Sequence, residues 1–189
     1  MENILDVALR LGSAFERIGA GYFLGGSLAS SLQGEPRATN DLDFVVDLRP
    51  DQVSALVSAL GPDFEVDDEA LREAAAQKSS WNIFYLPTAL KIDLFIRRSG
   101  PFDEEEFTRR RAIEIRPGHR LFVKSAEDTI LRKLLWFRSG GELSSTQWRD
   151  VVQVFRISGP ELDGDYLARW SAALGVDDLL EKARRESED

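Results

Sequence analysis

The chain has 189 residues, 43% of them apolar and 30% charged, which is enough to bury a core as one domain, or as one with a small appendage. It has no cysteine and a single histidine, so disulfides, thiol catalysis and Cys- or His-rich metal sites are excluded. The net charge of −9 argues against a passive nucleic-acid coat protein. No apolar run reaches the length of a membrane span, and Met1 to Arg10 lack the basic and apolar regions of a leader. These features point to a soluble cytoplasmic protein.

Ile4, Ala8, Leu11, Phe15 and Ile18 recur at steps of three and four, an amphipathic helix that ends near Gly19 and Gly21. Tyr22-Phe23-Leu24 follows as a short buried strand. Gly25-Gly26-Ser27 then leads into a short helix carrying Leu28, Ala29 and Leu32, with Ser27 as its expected cap. From Asp41 to Val46 the residues Leu42, Phe44 and Val46 alternate with more polar ones, a strand with one apolar face. Pro50-Asp51 opens a helix that Gly61-Pro62 stops. A short strand at Phe64–Val66 and an Ala-rich helix come next. Trp81 to Leu86 and Leu90 to Ile96 form a hairpin, with Lys91, Asp93 and Phe95 opposite the apolar face of the second strand.

Arg111 to Ile115 and Leu121 to Lys124 flank the turn Arg116-Pro117-Gly118-His119. From Ser125 onward the pattern is helical, with Ile130, Leu131, Leu134, Leu135 and Phe137 in the first of several helices. The boundary therefore falls near Ser125. The expected fold is α/β, a small mixed sheet with flanking helices followed by a helical C-terminal lobe.

Three carboxylates fall on these strands. Asp41 and Asp43 are two residues apart and share a face, with Cα atoms about 6.5–7 Å apart. Asp93 lies on the polar side of another strand. If the strands are neighbours the three converge, and like charges so placed are unfavourable unless a cation joins them. Mg²⁺ takes such oxygen ligands together with substrate phosphates. Gly25 and Gly26 allow close backbone approach to a ligand, and the free N–H groups of a helix start favour phosphate. A phosphate cradle beside paired carboxylates suits phosphoryl or nucleotidyl transfer.

Gly25-Gly26-Ser27, thirteen residues, and then Asp41-Leu42-Asp43-Phe44 resemble the signature of the DNA polymerase beta-like nucleotidyltransferase superfamily. Arg37-Ala38-Thr39-Asn40 and Asp93 fit the same pattern. Ser125-Ala126-Glu127-Asp128-Thr129-Ile130 with Lys133, then Arg149-Asp150, is similar to AbiEii/MenT-type nucleotidyltransferases, which include toxins of toxin–antitoxin systems. That family often has a Lys-Asp pair where this chain has Trp148-Arg149-Asp150.

The resemblance implies a catalytic domain over 1–124 and the helical lobe over 125–189, with the active site in the cleft between them. It implies that Asp41, Asp43 and Asp93 bind two Mg²⁺ ions with the triphosphate, and that Asp93 helps deprotonate the attacking hydroxyl. Gly25, Gly26 and Ser27 would hold phosphates, with Arg37 and Thr39 near the nucleotide. Lys133 would steady the nucleotide's charge, and Asp150 would orient Lys133 or the acceptor.

Read as ordinary residues, Lys133 is a solvated helix lysine, Asp150 one half of a surface pair, and Arg37 and Thr39 are loop caps. Residues 97–124 carry eight basic against five acidic side chains, either a track for RNA phosphates or a plain charged hairpin. The leading expectation is a Mg²⁺-dependent enzyme moving an NMP from an NTP to a hydroxyl, with tRNA as acceptor and a cognate antitoxin as partner. The alternatives are an aminoglycoside-like small molecule or a protein hydroxyl as acceptor, or a non-catalytic nucleotide-binding module. An RNA acceptor asks for the arginine-rich segment beside the site, and a small cation asks for an acidic surround.

Overall fold

The computed structural model describes residues 2–36 and 38–188. They form two compact units, Met1–Leu28 with Thr39–Lys124, and Ala29–Ala38 with Ser125–Asp189. The fold is mixed α/β.

The first unit is built on a seven-stranded sheet of β1 (Tyr22–Leu24), β2 (Asp41–Val46), β3 (Phe64–Glu65), β4 (Ser80–Tyr85), β5 (Leu90–Ile96), β6 (Arg111–Arg116) and β7 (His119–Val123). The order across the sheet is β3-β4-β5-β2-β1-β7-β6. β2 is central, antiparallel to β1 and parallel to β5. The two expected hairpins form as β4–β5, joined by a 3-10 turn at Leu86–Thr88, and β6–β7.

Helix α1 (Ile4–Arg17) is capped by Asn3, whose side chain accepts from the N–H groups of Leu5 and Asp6. α2 (Gly26–Gln33) follows β1. α3 (Val53–Leu60) and α4 (Asp68–Gln77) lie between β2 and β4 in the chain, and α5 (Pro101–Thr108) follows β5. The period of two in β2 and β5 sends Leu42, Phe44, Val46, Ile92, Leu94 and Ile96 into the core. α1 covers that face, with Phe15 against Phe44 and Tyr22. α3 packs on α1, and α4 on β4.

Helix α5 was not legible in the sequence. Phe102 and Phe107 are five residues apart with acids between them, so no helical repeat stands out. Pro101 at the first helical position starts it, and the Asp103 carboxylate accepts from the Gly100 N–H at 3.2 Å. Phe23 pairs with Val45 and so points away from α1, and there it meets Phe107 of α5. On this side α5 lies over β1, and part of the sheet at β2, β5 and β4 carries polar side chains.

The second unit contains α6 (Ala126–Ser139), α7 (Ser145–Ser158), α8 (Gly164–Leu174) and α9 (Asp177–Glu188). Ser125 caps α6 by accepting from the Asp128 N–H. The Asp128 carboxylate is fully buried and accepts from Ser125 Oγ and from the Tyr166 hydroxyl of α8. Among the described residues, no helix is long and apolar enough to cross a membrane.

Candidate active site

The carboxylate cluster follows from two strands of period two laid in one register. Asp41 and Asp43 project from β2 on the side opposite Leu42 and Phe44. Asp43 is the direct partner of Asp93 on β5, and Asp41 is the partner of Lys91. Neighbouring strands run about 4.8 Å apart, so Asp43 and Asp93 stand side by side. Asn82 of β4 continues the same row beyond Asp93. All three acids are half-buried rather than sealed in the core.

Each flanking acid has a protein partner. Thr39 Oγ1 donates to Asp41 Oδ1 at 2.7 Å. Lys91 Nζ lies 2.9 Å from Asp93 Oδ1 and 3.0 Å from Oδ2. Hydrogen bonding to Asp93, reinforced by the charges of Asp93, Asp41 and Asp43, pushes the Lys91 ammonium above its ordinary range. Among the described residues, no three His, Cys, Asp or Glu side chains are gathered as a group able to hold a metal ion. Asp41 and Asp93 are turned toward Thr39 and Lys91. The donor set on the face is nonetheless all carboxylate, the hard-oxygen chemistry that Mg²⁺ takes. Gathering it on one ion requires these side chains to reorient.

The glycine turn is locked onto this face. The Gly25 N–H donates to the Asp43 carbonyl at 2.8 Å, and the Lys124 N–H donates to the Leu24 carbonyl at 3.0 Å. Gly26 has φ +58°, in the left-handed region. A Cβ there would fall inside the Asp43 carboxylate, with Asp43 Cβ only 2.7 Å away. No other residue type fits this turn with Asp43 where it is. Ser27 is the second residue of α2, which begins at Gly26, rather than its cap. Arg37 lies outside the described residues.

Lys124 is a further residue of interest that the sequence grouped with the arginine-rich segment. It is 5% exposed and paired at 3.1 Å with Glu106 of α5, also 5% exposed. Its Nζ lies 3.6 Å from where a Gly25 Cβ would be and 5.4 Å from the centre of the Phe23 ring. A buried ammonium thus borders the glycine turn. Its signal in the sequence was weak, a lysine directly after the apolar strand β7.

Other cations of that segment are also engaged within the first unit. Arg97 bonds to Asp47 and Glu104, both at 3.1 Å, and stacks on Phe107. Arg116 pairs with Asp6, and Arg110 lies over Phe107 and Phe122. The β6–β7 hairpin occupies the edge of the sheet, with β1 and β7 between β6 and the carboxylate strand β2.

In the second unit, Lys133 and Asp150 meet across α6 and α7. Lys133 Nζ donates to Asp150 Oδ2 at 2.8 Å and to Gln147 Oε1 at 3.0 Å, and the two charged side chains are 3% and 7% exposed. Neither is the solvated surface residue of the plain reading. Burial of such a pair is unfavourable unless its hydrogen bonds are made, as these are.

No family model matches the chain, and no curated protein matches it in sequence. Solved structures do. A nucleotidyltransferase-like antigenic protein from Paracoccidioides brasiliensis superposes with a TM-score of 0.56 at 17% identity, over 95% of this chain and 90% of that one. ANT(2'')-Ia in complex with adenylyl-2''-tobramycin gives a TM-score of 0.56 at 13% identity, over 90% of this chain and 97% of that one. The solution structure of the antibiotic-resistance factor ANT(2'')-Ia gives 0.55 at 13% identity, over 98% and 99%. The chain has the nucleotidyltransferase fold.

Proposed function

We propose that this protein transfers a nucleoside monophosphate from an NTP to a hydroxyl acceptor. The observation that carries this reading is the register Asp43–Asp93, with Asp41 on the same face and Gly26 closed against Asp43. Asp41, Asp43 and Asp93 would hold Mg²⁺, which when bound neutralises the triphosphate and stabilises the departing pyrophosphate. Gly25, Gly26 and Ser27 receive the phosphates at the start of α2. The acceptor oxygen bonds to the α-phosphorus, the bond to the bridging oxygen breaks, and pyrophosphate leaves. The acceptor's proton passes to the Asp93 carboxylate.

The resemblance of Ser125–Ile130, Lys133 and Asp150 to AbiEii/MenT-type enzymes supports tRNA as acceptor and a toxin with a cognate antitoxin. A second reading, a small cationic acceptor such as an aminoglycoside, draws on the internal pairing of Arg97, Arg116 and Lys124, which removes charge from an RNA track. It draws also on the likeness to ANT(2'')-Ia, solved with an adenylylated tobramycin. Incubation with Mg²⁺, each α-labelled NTP, total tRNA and an aminoglycoside panel separates the two. Label in tRNA supports the first reading, and label on the aminoglycoside the second. Asp43→Asn is expected to lower either transfer about a hundredfold or more. Tight NTP binding without pyrophosphate release on any acceptor would replace both with a non-catalytic nucleotide-binding module.

A further inference from the structure

The carboxylate face carries one basic side chain whose position the proposed chemistry does not use. Lys91 is the register partner of Asp41 on β2, and it bonds to both oxygens of Asp93, two residues along its own strand. Its ammonium therefore stands within the acidic group. The two partners differ in freedom: the Lys91 side chain is 44% exposed and Asp93 only 14%. A long, half-exposed lysine can swing into water, whereas the carboxylate is held by the strand. Three like charges with no cation repel one another, and a single ammonium relieves part of that repulsion.

We infer that Lys91 is a built-in countercharge that holds the carboxylate face together in the metal-free protein and gives way when a divalent cation binds. This rests on the reading of Asp41, Asp43 and Asp93 as the metal-binding set. Lys91 is a positioning residue, and its effect on metal has the opposite sign to that of a ligand. Removing a ligand weakens metal binding, whereas removing this competitor strengthens it.

The test is Mn²⁺ binding, read from the electron paramagnetic resonance signal of the free ion, on wild-type protein, Lys91→Met, Lys91→Arg and Asp43→Asn. Lys91→Met is expected to bind Mn²⁺ about 2- to 5-fold more tightly than wild type, the worth of a partly exposed ion pair. Lys91→Arg keeps the charge and is expected to match wild type. Metal-free Lys91→Met is expected to melt at a lower temperature than wild type and to gain more from Mn²⁺. Lys91→Gln serves in its place if the methionine variant does not fold. If Asp43→Asn abolishes binding but the neutral Lys91 variants bind no more tightly than wild type, the inference about Lys91 is overturned and the metal set stands. If Asp43→Asn binds Mn²⁺ as well as wild type does, the metal set itself is overturned, and the countercharge role falls with it.

Discussion

Gly26→Ala tests how tightly the glycine turn is fitted to the carboxylate strand. Gly26 holds φ +58°, where an alanine costs about 1–2 kcal/mol. The added methyl would also enter the space of the Asp43 carboxylate, 2.7 Å from Asp43 Cβ. The strand cannot retreat, because the Gly25 N–H holds the Asp43 carbonyl and β2 is paired on both sides. The Asp43 carboxylate must rotate away and the turn must shift off its Cβ, an overpacking cost of about 1–3 kcal/mol. Together these give about 2–5 kcal/mol, measured as a shift in urea midpoint at constant slope.

A double-mutant cycle with Asp43→Gly, which also removes the Asp43 Cβ, divides the two contributions. The backbone strain remains in the double variant and the clash does not, so the cycle should show a coupling of about 1–3 kcal/mol. Nucleotidyl transfer by Gly26→Ala should fall with the displacement of Asp43. A loss below about 0.5 kcal/mol, or strictly additive single variants, would refute the close fit of turn to carboxylate.

Asp150→Ala strands the Lys133 ammonium in a buried position and is expected to cost about 3–5 kcal/mol by chemical denaturation, whereas Lys133→Met with Asp150→Leu recovers most of it. A loss below about 1 kcal/mol for Asp150→Ala would mean that the pair is solvated. The Asp6 carboxyl is held below its usual range by the Asn3 N–H and then by Arg116. A carboxyl more acidic in the folded state contributes stability that is fully present above its unfolded value, near 3.8, and is lost as pH falls through the folded value. Asp6→Asn should therefore lose less stability than wild type between about pH 4 and pH 2, and equal acid sensitivity of the two proteins would count against this.

The strands that carry the candidate site were legible because alternation is a local signal. Leu42, Phe44 and Val46 against Asp41 and Asp43, and Ile92, Leu94 and Ile96 against Lys91 and Asp93, state which side is buried before any partner is known. The glycine pair was legible for a similar reason, since few sequences other than a tight turn place two glycines between a strand and a helix. Helix α5 escaped because its two phenylalanines stand five residues apart with only acids between them and form no helical stripe.

What the chain determined by itself was therefore which residues face out and where the backbone turns, both consequences of side-chain period and steric freedom within a few residues. Tertiary structure alone decided who meets whom. Asp43 lies beside Asp93, Lys124 meets Glu106 under the glycine turn, and Lys133 meets Asp150 across two helices. Strand order, register and helix packing are set by burial summed over the whole core, so residues far apart in sequence become partners through contacts that neither specifies.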